Sequence, residues 1–150
     1  MSKIRKKIRK KKLTSIPIII KRLFRLASIR CRERANNKCE ICGMCKGDKH
    51  PNTGKPQKVE AHHIMNRKNK NSPLKFDLRN LICLCGTCHK FGRFSAHGHG
   101  IWFGEWLRIN KPKQHAWILK HSNDVVDLTD RTVLQKIEDQ LKSKDALKFD

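Results

Sequence analysis

Three short stretches of the chain carry side chains whose types and spacing could do chemistry. The segment VEAHHI places two adjacent histidines, His62 and His63, at the end of a short apolar-leaning run. The segments CEIC and CGTC each hold two cysteines separated by two residues. An imidazole can bind a metal ion or exchange a proton near neutral pH, and paired thiolates are ligands for zinc.

The two adjacent histidines are expected to have different roles. The run 59–64 predicts a short strand, and successive side chains of a strand point to opposite faces. One imidazole can then bind a metal ion while its neighbour accepts a proton. We therefore expect one metal ligand and one base at this position.

The cysteine spacing predicts a structural zinc site. A two-residue spacing lets both thiolates of a pair reach one tetrahedral ion at about 2.3 Å, and two such pairs close the site. The four predicted ligands are Cys39, Cys42, Cys85 and Cys88. The other three cysteines are interpreted as small hydrophobic residues or spare thiols: Cys31, Cys45 and Cys83.

Hydrophobic periodicity predicts an α+β protein with four segments. These are a disordered basic arm over 1–16, a basic amphipathic helix over 17–37, a central domain over 38–110 and a helical extension over 111–150. The basic face of the helix, with Arg22 and Arg34, could lie along DNA or be solvated.

Shorter elements are expected within the central domain and the extension. A second strand is predicted over 81–84, and a helix is predicted to begin near Thr87 or Cys88. The extension predicts a helix over 129–142 with Asp130 as its N-cap.

A compact apolar stretch over 101–109 precedes the extension. Trp102 and Trp106 are four residues apart there, so a helix would place both on one face. They are interpreted as core residues, with base stacking as the second option.

The charge balance predicts a polyanionic partner. The formal net charge is +22, from 35 Lys+Arg against 13 Asp+Glu. Apolar residues make up 37% of the chain, which suits a small core stabilised by a metal. The sequence has no apolar run long enough for a membrane span and no signal-peptide pattern, so reduced cysteines in the cytoplasm are expected.

The segments AHHI, LRNLICLC and CH together resemble the HNH nuclease motif, of the ββα-metal or His-Me finger kind. The variant with two flanking cysteine knuckles is common among phage and restriction-type nucleases, and the similarity extends over about 36–108. It implies a small ββα-metal core between the N-terminal and C-terminal helices. It also implies hydrolysis of DNA phosphodiester bonds, as nicks or double-strand cuts, by an endonuclease.

The resemblance implies roles for four residues. His63 is the general base, and Asn80 fixes the orientation of its imidazole. His62 and His89 are ligands of one catalytic divalent ion, which could be Mg²⁺, Mn²⁺, Ni²⁺ or Zn²⁺. These roles agree with the chemistry of hydrolysis, since a neutral imidazole can activate water and the ion can stabilise charge on the phosphate.

A third ligand is not evident from the motif. Arg93 stands where some family members have a ligand, and it cannot bind a metal, although it could grip the phosphate. His97 could replace it, but phosphate contact or packing is the favoured interpretation of His97.

The predicted partner is DNA, in the cytoplasm of a bacterium or a phage-infected cell. The candidate DNA contacts are Lys6, Lys7, Lys10, Lys11 and Lys12 in the arm, with Arg67, Lys68 and Arg93 in the domain. The settings that fit are phage packaging alongside a terminase, homing, restriction of foreign DNA, and recombination. The alternatives are a zinc-stabilised module that binds nucleic acid without catalysis and a packaging adaptor.

Overall fold

The computed structural model describes residues 13–65 and 71–147, and these residues have an α+β fold, as predicted. Two strands, β1 (Val59–His63) and β2 (Leu81–Cys85), form an antiparallel sheet. The described ranges hold four α-helices: α1 (Ile16–Arg34), α2 (Gly100–Asn110), α3 (Pro112–His121) and α4 (Arg131–Lys142). The lysines of the basic arm, Arg67 and Lys68 lie outside the described residues.

Helix α1 covers the sheet with an apolar stripe. Its buried residues recur at four-residue steps, as an amphipathic helix requires: Ile19, Leu23, Ala27 and Cys31. The helix ends at Arg34, before the predicted end at 37. Asn36 and Asn37 have φ values of 50° and 55°, and a left-handed backbone cannot continue an α-helix.

The register of the sheet positions the adjacent histidines. His62 lies opposite Ile82 and His63 opposite Leu81, while Cys85 lies at the other end of the pair. Every residue of β2 is buried, so one strand of continuous apolar character forms the centre of the core.

The helices after the sheet follow the predicted pattern in part. Trp102 and Trp106 are half-buried and pack against the core in α2, which confirms their interpretation as core residues. The Asp130 carboxylate accepts a hydrogen bond from the Thr132 amide at 2.7 Å, which confirms the predicted cap of α4. Helix α3 was not predicted.

Two arginines of α1 hold the C-terminal helix. Arg22 pairs with the buried carboxylate of Glu138 in α4. Arg30 donates to the carbonyl of Leu141 at 2.8 Å and to that of Ser143 at 2.6 Å. Arg22 and Arg30 therefore make contacts within the fold. The sequence had offered DNA or solvent as the surroundings of the basic face.

Glu40, inside the CEIC segment, joins three parts of the chain. Its carboxylate accepts from the Cys83 amide at 2.8 Å, from Arg34 at 3.2 Å and from Lys111 at 2.9 Å. Arg34 in turn donates to two carbonyls of the segment that enters β2. Burial raises the pKa of Glu40, but Arg34, the Cys83 amide and Lys111 outweigh burial and hold it below its ordinary value.

Replacing Glu40 tests this junction. We expect Glu40→Ala to lower the free energy of unfolding by about 3 kcal/mol, because Arg34 would stay buried without its acidic partner. Chemical denaturation at neutral pH measures the loss. Since the pKa of Glu40 is lower in the folded state, its contribution is present at neutral pH and is lost as the pH falls through the folded-state pKa.

Glu33→Ala is the control, since the Glu33 side chain is 47% exposed and pairs with Arg30 within α1. This change should cost less than about 0.5 kcal/mol. Equal losses in the two variants would show that Glu40 is an ordinary surface carboxylate.

Candidate metal centres

The four predicted thiols lie at one point in the structure. The Sγ atoms of Cys39, Cys42, Cys85 and Cys88 all lie within 4.8 Å of one another. The distance between Sγ of Cys42 and Sγ of Cys85 is 3.7 Å. Two zinc–sulfur bonds of about 2.3 Å at a tetrahedral angle would separate their sulfurs by about 3.8 Å. The cysteine quartet can therefore hold a metal ion.

Local backbone geometry builds the first half of the quartet. The Cys39 amide donates to the Met44 carbonyl at 2.9 Å, and the Gly43 amide donates to the Cys39 carbonyl at 2.8 Å. Gly43 has a φ of 76°, which favours glycine. The Glu40 amide donates to the Cys83 carbonyl at 2.9 Å, so this turn is attached to β2.

The thiols of the quartet share protons unequally. The hydrogen bond between Cys88 and Cys39 lowers the pKa of Cys39 to about 4 and raises the pKa of Cys88. The cluster thus already favours one thiolate. A cation at its centre would displace the remaining protons and gain the other thiolates as ligands.

The remaining cysteines do not join the quartet. Burial raises the pKa of Cys31 and of Cys83 to about 12, so both are neutral thiols within the core. The Cys45 sulfur lies 3.9 Å from the Gly43 carbonyl oxygen. The interpretation of these three as small hydrophobic residues or spare thiols fits their environments.

A second cluster consists of three histidines. One ring nitrogen each of His62, His89 and His97 lies within 4.8 Å of the others. The Nε2 atoms of His89 and His97 are 3.2 Å apart. Two nitrogen ligands at about 2.0–2.1 Å from a tetrahedral ion would be separated by about 3.3 Å. This histidine triad can hold an ion, which favours the ligand alternative for His97 over phosphate contact or packing.

The loop after β2 folds back to deliver His97. Residues Thr87–Phe91 form one turn of π-helix, and this turn begins where the sequence predicted a helix. Beyond it, the Ala96 amide donates to the Cys88 carbonyl at 2.8 Å, and the His97 amide donates to the His89 carbonyl at 3.1 Å. Arg93 is exposed on the same loop, and the triad does not include it.

The imidazoles of the triad are suited to bind a cation. Burial and the neighbouring imidazoles lower the pKa of His62 to about 3. Burial also lowers the pKa of His89, although Glu60 opposes this effect. Both rings are neutral at pH 7, and neutral imidazole is the form that binds metals.

Glu60 is a functional residue that the sequence-based reasoning missed. Its Oε2 atom accepts a hydrogen bond from Nδ1 of His89 at 2.9 Å. This contact leaves Nε2 of His89 as the atom that faces the triad, an arrangement typical of metal-binding histidines. The signal was available, because Glu60 and His62 are two apart on a strand and share a face.

His63 makes contacts that differ from those of its neighbour. Its Nε2 atom donates to the Lys75 carbonyl at 2.9 Å, and its ring centroid lies 6.0 Å from that of Phe24 in α1. His62 instead packs on Phe103 of α2, with 5.3 Å between ring centroids. Because Nε2 of His63 carries a hydrogen, the lone pair of its neutral ring is on Nδ1.

Asn80 holds the loop between the strands. Its Oδ1 accepts from the Met65 amide at 2.7 Å, and its Nδ2 donates to the Met65 carbonyl at 3.3 Å and to the Leu74 carbonyl at 3.0 Å. Leu74 is adjacent to Lys75, whose carbonyl contacts His63. The side-chain amide of Asn80 thus contacts Leu74, and the next residue accepts the hydrogen bond from His63, the imidazole that the motif assigns to Asn80.

One cavity joins the two histidines of β1. A cavity of about 540 Å³ is lined by His62, His63 and His97 together with residues of α2 and α3. The adjacent side chains contact different elements, as the strand predicted, and both residues line this cavity. A group bound in this cavity can meet the triad and His63 together.

Comparison with family models, curated proteins and solved structures finds no match to this chain. The interpretation of the site therefore depends on its geometry and on the motif. No helix in the described part of the chain is long and apolar enough to cross a membrane.

Removing one thiol tests the quartet. We expect Cys88→Ser to lose about one bound zinc ion per chain, because a closed structural site needs four ligands. Elemental analysis of the purified protein measures the zinc content, and its melting temperature should fall as well. Cys45→Ser is the control, since it removes a nearby thiol outside the quartet. Equal zinc content in both variants would contradict the assignment.

A second substitution tests the contact between Glu60 and the triad. Glu60→Gln keeps the size of the side chain but removes its charge, so we expect affinity for Ni²⁺ or Mn²⁺ to fall about 10- to 100-fold. Calorimetric titration of the zinc-loaded protein measures this. Glu105→Gln, which changes an exposed carboxylate paired with Arg108, should leave the affinity unchanged. Loss in both variants would indicate a general effect of charge.

Proposed function

We propose that the chain is a metal-dependent HNH endonuclease that hydrolyses DNA phosphodiester bonds on a ββα-metal core. The observation that carries this proposal is the cavity that His63 shares with His62 and His97. A base and an ion site that border one space are what hydrolysis of a phosphodiester requires. A module that only binds nucleic acid has no need for this arrangement.

The two candidate metal centres differ in a way that suits two roles. Four cysteines form a closed set of ligands, as in structural zinc sites. Three histidines leave positions open for a phosphate oxygen or water, as in catalytic sites. We assign structural zinc to the cysteine quartet and a catalytic divalent ion to the histidine triad.

His63 is proposed to act as the general base. The Lys75 carbonyl accepts a hydrogen bond from Nε2 and so holds the imidazole that would take a proton from water. Asn80 supports this geometry by tying the loop that carries Lys75. Glu60 orients His89 in the triad. When bound, the ion would stabilise negative charge on the phosphate and on the leaving oxygen.

The charge of the chain supports DNA as the substrate. The net charge of +22 would neutralise phosphates, and such contacts give affinity without base specificity. Arg93 is exposed on the loop that carries His97, and we assign it contact with a DNA phosphate. A phage packaging partner such as a terminase remains a prediction from the resemblance.

A cleavage assay tests the proposal. The purified protein should nick supercoiled plasmid when Mg²⁺, Mn²⁺ or Ni²⁺ is added. We expect His63→Ala to lower the rate at least about 100-fold, because general-base catalysis is lost, while the affinity for DNA is unchanged. Gel analysis of the cleavage rate and anisotropy of labelled DNA measure the two effects.

His121→Ala is the control, because this histidine stacks on Trp117 and pairs with Asp124 rather than with the triad. It should cleave as the wild type does. If the wild type binds DNA tightly but never cleaves it with any divalent ion, the module without catalysis is the better description.

A further inference from the structure

Two exposed phenylalanines lie on the loop that carries His97. Phe91 is 84% exposed and Phe94 is 51% exposed, and Arg93 lies between them. Single apolar residues are common on protein surfaces. Two aromatic rings beside an arginine and a candidate catalytic centre need a specific explanation.

Other rings hold Phe94 in place. Its ring centroid lies 5.6 Å from that of His99 and 5.8 Å from that of Trp102. Trp102 is half-buried against the core, so it connects this group to the body of the domain. The Arg93 guanidinium lies 5.6 Å from the Phe94 centroid. We call Phe94, His99 and Trp102 the aromatic patch.

The position of the aromatic patch relative to the triad is set by backbone contacts. The amides of Ala96 and His97 bond to the carbonyls of Cys88 and His89. Ser95 is fully buried, and its hydroxyl accepts from the Gly98 amide at 3.0 Å. The loop that presents Phe94 is therefore the loop that completes the triad, so one segment carries both the patch and a ligand of the triad.

The charge of this loop favours a nucleic acid as its occupant. Residues 92–99, between the turn and α2, contain Arg93 and no aspartate or glutamate. Aromatic rings beside cationic side chains form the usual binding surface for unpaired nucleotides, because the rings stack on bases while the cations contact phosphates. Bases within a continuous duplex are already stacked on one another and cannot use such a surface.

We propose that the aromatic patch stacks on an unpaired base of the DNA strand whose phosphate enters the cavity. The inference rests on the proposed function, and it specifies the substrate class as DNA with unpaired bases at the cleavage site: single strands, flaps or bulges. Phe94 is the stacking residue, His99 and Trp102 support it, and Arg93 contacts the neighbouring phosphate.

A binding experiment tests this inference without cleavage. Full-length protein carrying His63→Ala is titrated into labelled oligonucleotides at one ionic strength, and fluorescence anisotropy gives the affinity. The ligands are a single strand, a continuous duplex and a duplex with a short bulge. Adding Phe94→Ala should weaken binding of the single strand and the bulge roughly tenfold or more, because a stacking contact is lost. Duplex binding should change little.

Two further variants make the result specific. Phe94→Trp should keep the affinity for unpaired DNA, since it keeps a stacking ring. Ile101→Ala should change nothing, although it removes an apolar side chain that is 87% exposed in the first turn of α2. Unchanged zinc content and melting temperature in Phe94→Ala would show that the fold is intact.

The contrary outcomes are distinct. The stacking role is overturned if Phe94→Ala lowers the affinity for duplex and unpaired DNA equally, or lowers neither. If it lowers neither, the patch is better described as a contact for a protein. A wild type that never cleaves DNA would instead refute the proposed function, while the affinities of the Phe94 variants would still decide the stacking role.

Discussion

The covalent link between Cys88 and His89 is the constraint on which the rest of the candidate site depends. These adjacent residues belong to different clusters, the first to the cysteine quartet and the second to the histidine triad. Whatever positions one cluster therefore positions the other within the length of a peptide unit. The turn that carries both is closed by a hydrogen bond of 2.8 Å from the Gly92 amide to the Thr87 carbonyl. An ion bound by the thiolates would stabilise this turn and so preorganise His89.

The small sheet extends this constraint to the proposed base. Strand β2 leads directly into the cysteine pair, and its partner β1 carries Glu60, His62 and His63 in a register set by backbone pairing. A shift by one residue would turn every side chain of β1 to the other face and would separate His62 from the triad. Glu40 attaches the CEIC segment, which carries Cys39 and Cys42, to this sheet and to α1. With few apolar residues available, a metal ion held by the quartet would supply part of the stability that a larger core would supply.

Local signals in the sequence were sufficient for much of the fold. The apolar stripe of α1, the Asp130 cap of α4 and the cysteine spacing each depend on residues close together in the chain, and the structure agrees with them. Helix α3 was missed: it buries Ile118 alone among its ten residues, and it follows α2 after the single residue Lys111.

The parts of the site that were not predicted depend on contacts that local spacing does not encode. Counting turns of an α-helix from His89 leads to Arg93, but the chain leaves the turn at Gly92, in an extended conformation, and returns with His97. The contact between Glu60 and His89 joins residues on different elements, so it required the pairing of the strands. The two-residue period of β1 places Glu60 on the same face as His62. Its role as a partner of His89 could be recognised only once the position of His89 in the fold was known.

The central claim is that the two-stranded sheet and the turn after it carry two metal ions, one bound by sulfur and one by nitrogen. Anomalous diffraction from crystals of the zinc-loaded protein soaked in Ni²⁺ would test this claim most directly. The account predicts a nickel peak within bonding distance of His62, His89 and His97, and a separate zinc peak among the four sulfurs. The account would be contradicted if data collected at the nickel and zinc absorption edges showed one shared ion, or no density between the three imidazoles.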